Sequence, residues 1–300
     1  MGRLLKAFFF KLSKDLAFRI ILIIGGGLAL FETLILFGLQ QILATEADAF
    51  KLVSGQSMLM LSFSPAQNFG LAIPLYIIIF ICLEFSHGTI RNKIIAGHSK
   101  FQIYTSLYLS GLILAMMLLL SYVTLCTALG SIFGGFDVNG EAMFGITSGS
   151  KLSLEYLLKY ILLGLLVYTS LVAVTVFFAT LFRSIGPCIP IIFLLIMGGY
   201  YLAVIMGTVI QTSEAIALHQ QMSGDQEVYQ AAKDSLENFR RIGNVLKAIN
   251  PLYSLSVADN VDGVSTMDTY TFFAGIGSNL IYAAAFFFGG AAIFKKRDIK

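Results

Sequence analysis

Predominantly apolar stretches of twenty or more residues recur along the chain, for example LYLSGLILAMMLLLSYVTLCTALG inside 103–134 and YLLKYILLGLLVYTSLVAVTVFFATLF inside 154–182. A run of that length matches a hydrocarbon layer of about 30 Å crossed as a helix. In lipid only helices or closed barrels satisfy every backbone group. Barrel strands would alternate apolar and polar residues with a period of two, whereas these runs are apolar throughout. Of 300 residues 57% are hydrophobic and 12% charged, against about 25% charged in soluble domains. The sequence therefore predicts an all-α integral membrane protein, a single transmembrane domain over 1–300. Six spans are expected, at about 18–43, 66–85, 103–134, 154–182, 186–211 and 270–294. Pro74 interrupts the second span, while Pro187 and Pro190 sit near the start of the fifth, where proline is best tolerated.

The charges set an expected orientation. With the N-terminus placed in the cytoplasm, the inner segments hold thirteen of the 20 basic residues against the acids Asp15, Glu84 and Asp298, while the outer segments hold seven basic residues against thirteen acids. Basic residues are retained on the cytoplasmic side, so both termini and residues 86–102 are expected there. Residues 47–49 (ADA) imitate a signal-peptide cleavage site, but the first apolar run is far longer than the 7–15 residues of a signal peptide, and it is read as a retained span. Before it, residues 1–17 mix Leu and Phe with Lys. Two readings stand for this stretch: an amphipathic helix on the inner leaflet, or a plain basic flank.

Inside the spans one acid stands out, Glu32 in LALFETLILF. An ionised carboxylate at that depth costs about 2.5 kcal/mol or more. It is expected to be neutral and hydrogen-bonded to a Ser, Thr, Tyr or Asn279, or to face the substrate path or a subunit interface. Cys82, Cys126 and Cys188 form no CxxC pair and are expected to be buried packing residues. Gly25–Gly27, Gly198-Gly199 and Gly289-Gly290 permit close helix approach, and Glu155 and Lys159 have the spacing of an i,i+4 pair. No metal site and no catalytic group is expected.

Between the second and third spans the chain reads EFSHGTIRNKIIAGHSKFQIYTS, residues 84–106. Ile90, Ile94 and Ile95 fall near one helical face of TIRNKII, with Arg91, Asn92 and Lys93 largely on the other. Gly88 loosens the turn before this segment and Gly97 stops it, as a C′ glycine does. Spacing alone leaves two readings open: an ordinary basic loop, or a short helix that another protein grips.

The pattern of Glu84, Gly88, Thr89, Ile90, Arg91, Asn92, Lys93, Gly97, Ser99, Lys100 and Tyr104 resembles the loop after the second span in ABC-2 type transporter permeases. The likeness is to bacterial permeases of the peptide-resistance and lantibiotic-immunity kind. FKKRDIK at the C-terminus resembles the family's closing motif. The resemblance implies that residues 86–102 form the coupling loop, whose helix docks on an ATP-binding subunit through Glu84, Gly88, Thr89, Ile90, Arg91, Asn92, Lys93, Ile94 and Gly97. It further implies a bacterial plasma-membrane exporter of amphipathic or antimicrobial peptides, lipids or drugs. Its implied partners are two ATPase chains and a second permease subunit, identical or paralogous.

ATP and Mg would be bound by the ATPase, with no cofactor on this chain. The sequence holds no GxxxxGK[ST]; GITSGSKLS at 145–153 lacks the glycine before lysine. Basic residues are too thinly spread for nucleic acid. Residues 212–269 form the long outer segment, with an amphipathic helix expected over about 225–249 that places Val228, Ala232, Leu236, Phe239, Ile242, Val245, Leu246 and Ile249 on one stripe. Asn250-Pro251 ends it. Packing and gating of an outer exit are both open to this helix. The rival functions are a proton-coupled transporter using Glu32 and a non-catalytic scaffold or sensor.

Overall fold

The computed structural model describes residues 2–43, 53–65, 69–136, 154–223, 226–249, 259–261, 264–266 and 269–297. Its elements are α1 (Gly2–Lys14), α2 (Leu16–Leu43), α3 (Gly55–Ser62), α4 (Phe69–Ser86), α5 (Thr89–Ile95), α6 (Lys100–Gly134), α7 (Leu154–Phe182), α8 (Ile185–Ser223), α9 (Gln226–Ile249), β1 (Asp259–Val261), β2 (Val264–Thr266) and α10 (Thr269–Lys296). The two short strands pair antiparallel, Asn260 opposite Ser265; the other regular elements among the described residues are helices. The pseudo-nucleotide stretch 145–153, Asn250-Pro251 and residues 66–68 of the expected second span lie outside the described residues.

Among the described residues five helices are long and apolar enough to cross a membrane: Leu16–Ile42, Lys100–Gly134, Glu155–Phe182, Ile185–Met206 and Phe272–Lys296. The sixth candidate is a bent pair, Gly70–Ser86 with Thr89–Ile95, whose axes diverge by 58°. Residues 154–182 coincide with α7. The fifth expected span differs most, since α8 continues unbroken to Ser223. Residues 212–223, TSEAIALHQQMS, contain neither Gly nor Pro, so nothing in them stops a helix that has already started.

The centre of the bundle is α6, packed against α2, α3, α4, α7 and α10, while α7 also packs on α4, α8 and α10. Ile103, Leu107, Leu114, Leu118, Tyr122 and Cys126 of α6 are fully buried, at helical spacing. The peripheral helices α2 and α8 leave Ile23 and Leu194 more than 70% exposed. That exposure is free of cost against lipid tails, which are as apolar as leucine. All three cysteines are buried and reduced, as packing residues should be. Glu155 and Lys159 form their i,i+4 pair at 2.6 Å. Of the glycine pairs, Gly290 is a packing seat. A methyl group there would collide with the hydroxyl of Tyr104 on α6, whose ring lies against Phe287 and Phe294. Gly27, Gly198 and Gly289 have nothing within reach of an added methyl.

An element the sequence did not announce is α3. It tucks against α6 and α7 with Met58, Leu59, Met60 and Phe63 buried. Ser54 and Ser57 cap its start reciprocally. Its closeness to the neighbours depends on small residues in them. A side chain at Gly130 would strike Met58, one at Gly134 the Val53 carbonyl, and one at Gly164 the Phe63 ring. Eight residues are too few for a periodicity to emerge.

Candidate functional site

Glu84 lies in the last turn of α4 and is only 4% exposed. Its carboxylate receives two ammonium groups, Lys11 Nζ of α1 at 2.7 Å and Lys93 Nζ of α5 at 2.6 Å. A buried carboxylate needs partners of this kind to remain ionised, and here they come from two separate helices. One acid thereby ties the N-terminal helix, the second span candidate and the short basic helix into one unit.

The N-terminal helix is placed by more than this ion pair. Phe8 and Leu12 of α1 are buried, Phe8 meets the ring of Phe80 edge-on, and Lys11 also lies over that ring. The opposite side leaves Phe9 and Phe10 exposed. Asp15 then breaks the helix. Its carboxylate accepts from the backbone N–H of Ala17, as an N-cap does for α2, and from the Tyr76 hydroxyl of α4 at 2.7 Å. Gly2–Lys14 is thus a helix with one side buried against α4 and another exposed. Lys11, Asp15 and Tyr76 were not named as a group from sequence, because their partners lie more than sixty residues away.

The segment α5 is delimited by two glycines in the left-handed region, Gly88 at φ 66° and Gly97 at φ 85°. Side chains with a Cβ rarely adopt these angles. At its end the N–H groups of Gly97 and His98 donate to the carbonyls of Ile94 and Lys93, a Schellman closure. The next helix begins at once, with Ser99 and Gln102 capping each other. Thr89 starts the helix and is half-buried.

Side-chain placement corrects the expected faces. Ile90 is 1% exposed and Ile94 half-buried, but Ile95 is 74% exposed and Lys93 turns inward to Glu84. The reason is angular. At 100° per residue Ile95 sits 140° from Ile90, so it cannot share the inward face, and Glu84 supplies an inward destination for Lys93. The free face of α5 thus carries Arg91, Asn92 and Ile95, a cation, an amide and an apolar group at i, i+1 and i+4.

Further contacts bring the remaining helix ends to this side. Lys100 Nζ donates to the carbonyls of Lys295 and Arg297 at 3.2 and 2.8 Å, where a cation complements a helix C-terminus. The guanidinium of Arg297 donates to the Leu181 carbonyl at the end of α7. Arg183, in the tight joint between α7 and α8, lies over the ring of Phe85. The ends of α1, α4, α5, α7 and α10 and the starts of α6 and α8 therefore form one basic face, with Asp15 and Glu84 as its acids among these contacts.

Glu32 lies elsewhere, on α2. It accepts a hydrogen bond of 2.6 Å from the Tyr122 hydroxyl of α6, one of the partner types expected for it. Asn279 is instead engaged by Ser170 and by the Gly275 carbonyl. Among the described residues no group of three or more His, Cys, Asp or Glu is placed to hold a metal ion. The chain matches no protein-family model, no curated protein and no solved structure.

Proposed function

We propose that the chain is the membrane subunit of an ATP-driven exporter of the ABC-2 type, and that the outward face of α5 is where a separate ATP-binding subunit delivers its stroke. In this reading α4 crosses the membrane as the second of six spans and α5 stands outside it on the cytoplasmic side. α1 lies at the inner interface, and both termini are cytoplasmic. The concentration of Lys and Arg on the face that carries α5 supports that orientation through the positive-inside rule. The substrates implied are amphipathic peptides, lipids or drugs. A second permease subunit and two ATPase chains complete the assembly, and ATP and Mg are held by the ATPase.

The observation that carries the proposal is the two-sided construction of α5. One side is fastened to the bundle by Ile90 and by the Lys93–Glu84 pair; the other presents Arg91, Asn92 and a 74% exposed Ile95. An ordinary basic loop needs neither a rigid closure at both glycines nor an outward isoleucine. Because Glu84 also holds Lys11, a push on α5 reaches α1 and α4 together.

Co-purification with the cognate ATP-binding subunit tests this. Arg91→Asp and Ile95→Asp should each abolish capture while the permease still folds and inserts. Capture that survives both substitutions overturns the docking role.

A further inference from the structure

Beyond the basic face, the opposite end of the bundle carries a helix that none of the preceding argument uses. The 39 residues of α8 measure about 58 Å at 1.5 Å per residue, and only Ile185–Met206 is apolar enough to cross a membrane. Residues 207–223 therefore project about 25 Å beyond the span. The next helix, α9, begins three positions after Ser223, packs back along α8, and also touches α10. With 24 residues it is about 36 Å long. Its first part stands away from the membrane and its last third returns to the level of Met206, with Ile242 at about the boundary.

The composition changes along α9 in step with that descent. Residues 226–237 include Glu227, Asp234 and Glu237 with one lysine, whereas residues 238–249 include Arg240, Arg241 and Lys247 and no acid. Leu236 and Phe239 are half-buried in the protein. Ile242 and Val245 are 49% and 57% exposed and lie 60° apart on the helix. Arg241 stands one turn before Val245. Its pairing with Glu237 at 2.7 Å is between two strongly exposed groups, a contact of little strength that another anion can replace. Arg241 lies about 40° from Val245 around the helix, so an apolar edge with a cation beside it is held at the depth where a span ends, and that pairing anchors a segment at an anionic surface.

We propose that the C-terminal half of α9 is a lipid-binding element: Ile242 and Val245 enter the headgroup layer of the leaflet opposite the basic face, and Arg240 and Arg241 bind anionic phospholipid headgroups. This rests on the candidate span of α8 and the packing of α9, not on the docking role of α5, so either can fail without the other.

The test uses the full chain in nanodiscs with a fluorophore on Val245→Cys; the native cysteines are buried in the bundle. Brominated phosphatidylglycerol, diluted into phosphatidylcholine, should quench the label more strongly than brominated phosphatidylcholine at the same mole fraction. The same label on Asp234→Cys, about 12 Å back along the helix from Ile242, should be quenched by aqueous iodide and not by lipid. The Arg240→Gln/Arg241→Gln pair should weaken apparent phosphatidylglycerol binding about fivefold for each charge removed, and Arg240→Lys/Arg241→Lys should preserve it. Equal quenching by both lipids overturns the headgroup recognition. A label at 245 reached by iodide and not by lipid overturns the interfacial placement. A label shielded from both, with Ile242→Cys cross-linking between two chains, assigns the surface to a second copy and overturns it as well.

Discussion

The ammonium of Lys93 sits 2.6 Å from the carboxylate of Glu84, across the glycine turn that separates α4 from α5, and the same carboxylate is met from α1 by Lys11. Removing one partner of a buried ion pair leaves an uncompensated charge, at a cost of about 3–5 kcal/mol when burial is complete. Here the lysine side chains are 44% and 22% exposed and rehydrate, which reduces the loss. Glu84→Ala is expected to cost about 1–3 kcal/mol and to raise hydrogen exchange over residues 89–95. Lys11→Met should loosen α1 and leave α5 protected. Unchanged exchange in α5 after Glu84→Ala would contradict the fastening role.

At Gly290 the close approach of α6 and α10 predicts a context-dependent cost. Gly290→Ala puts a methyl group against the Tyr104 hydroxyl and should destabilise the protein by about 1–3 kcal/mol, seen as a lower Tm in detergent. In a Tyr104→Phe background the loss should be smaller, because the colliding oxygen is gone. Equal losses in both backgrounds would mean that the hydroxyl is not the obstacle.

The seat of α3 makes a similar prediction with a different measurement. Gly134→Val directs a side chain into the Val53 carbonyl and should expel α3 from its place beside α6. A thiol at Met58, 1% exposed in the native chain, should become reactive in Gly134→Val and stay protected with glycine at 134.

Interhelical hydrogen bonds in membranes contribute about 0.6 kcal/mol on average and up to about 1.7. The Tyr122–Glu32 bond is therefore too weak to hold α2 by itself, and stability is the less informative readout. Glu32→Gln keeps an acceptor for Tyr122 and should retain transport. Glu32→Ala should impair transport while lowering stability by no more than about 1–2 kcal/mol. Normal transport by the alanine variant would make the residue structural at most.

Much of this was legible in the chain because the bilayer imposes one length on every crossing element. The run 154–182 coincides with α7, and the glycines at 88 and 97 bracket α5 where their left-handed angles are needed. The amphipathic helix at about 225–249 became α9. What escaped was of two kinds. Short elements such as α3 carry too few residues for a period, and its signals, Ser54 and Ser57 at its start and Gly130 and Gly134 in α6, only make sense once the helices are adjacent. Partners remote in sequence were equally hidden. Glu84 was recognisable as an acid at a helix end and Lys11 as part of a basic flank, but nothing in either neighbourhood joins them. The outward turn of Ile95 is carried by the spacing itself, since it stands 140° from the buried Ile90; what only the structure adds is the inward turn of Lys93 to Glu84.

The side of the membrane that α5 occupies is the most direct test of its role as the site where an ATPase acts. A single cysteine in place of Ala96, exposed beside the free face, should react with a membrane-impermeant thiol reagent in inside-out vesicles and lose that reactivity when the ATP-binding subunit is added. Labelling of the same cysteine from outside intact cells would invert the topology and contradict the account.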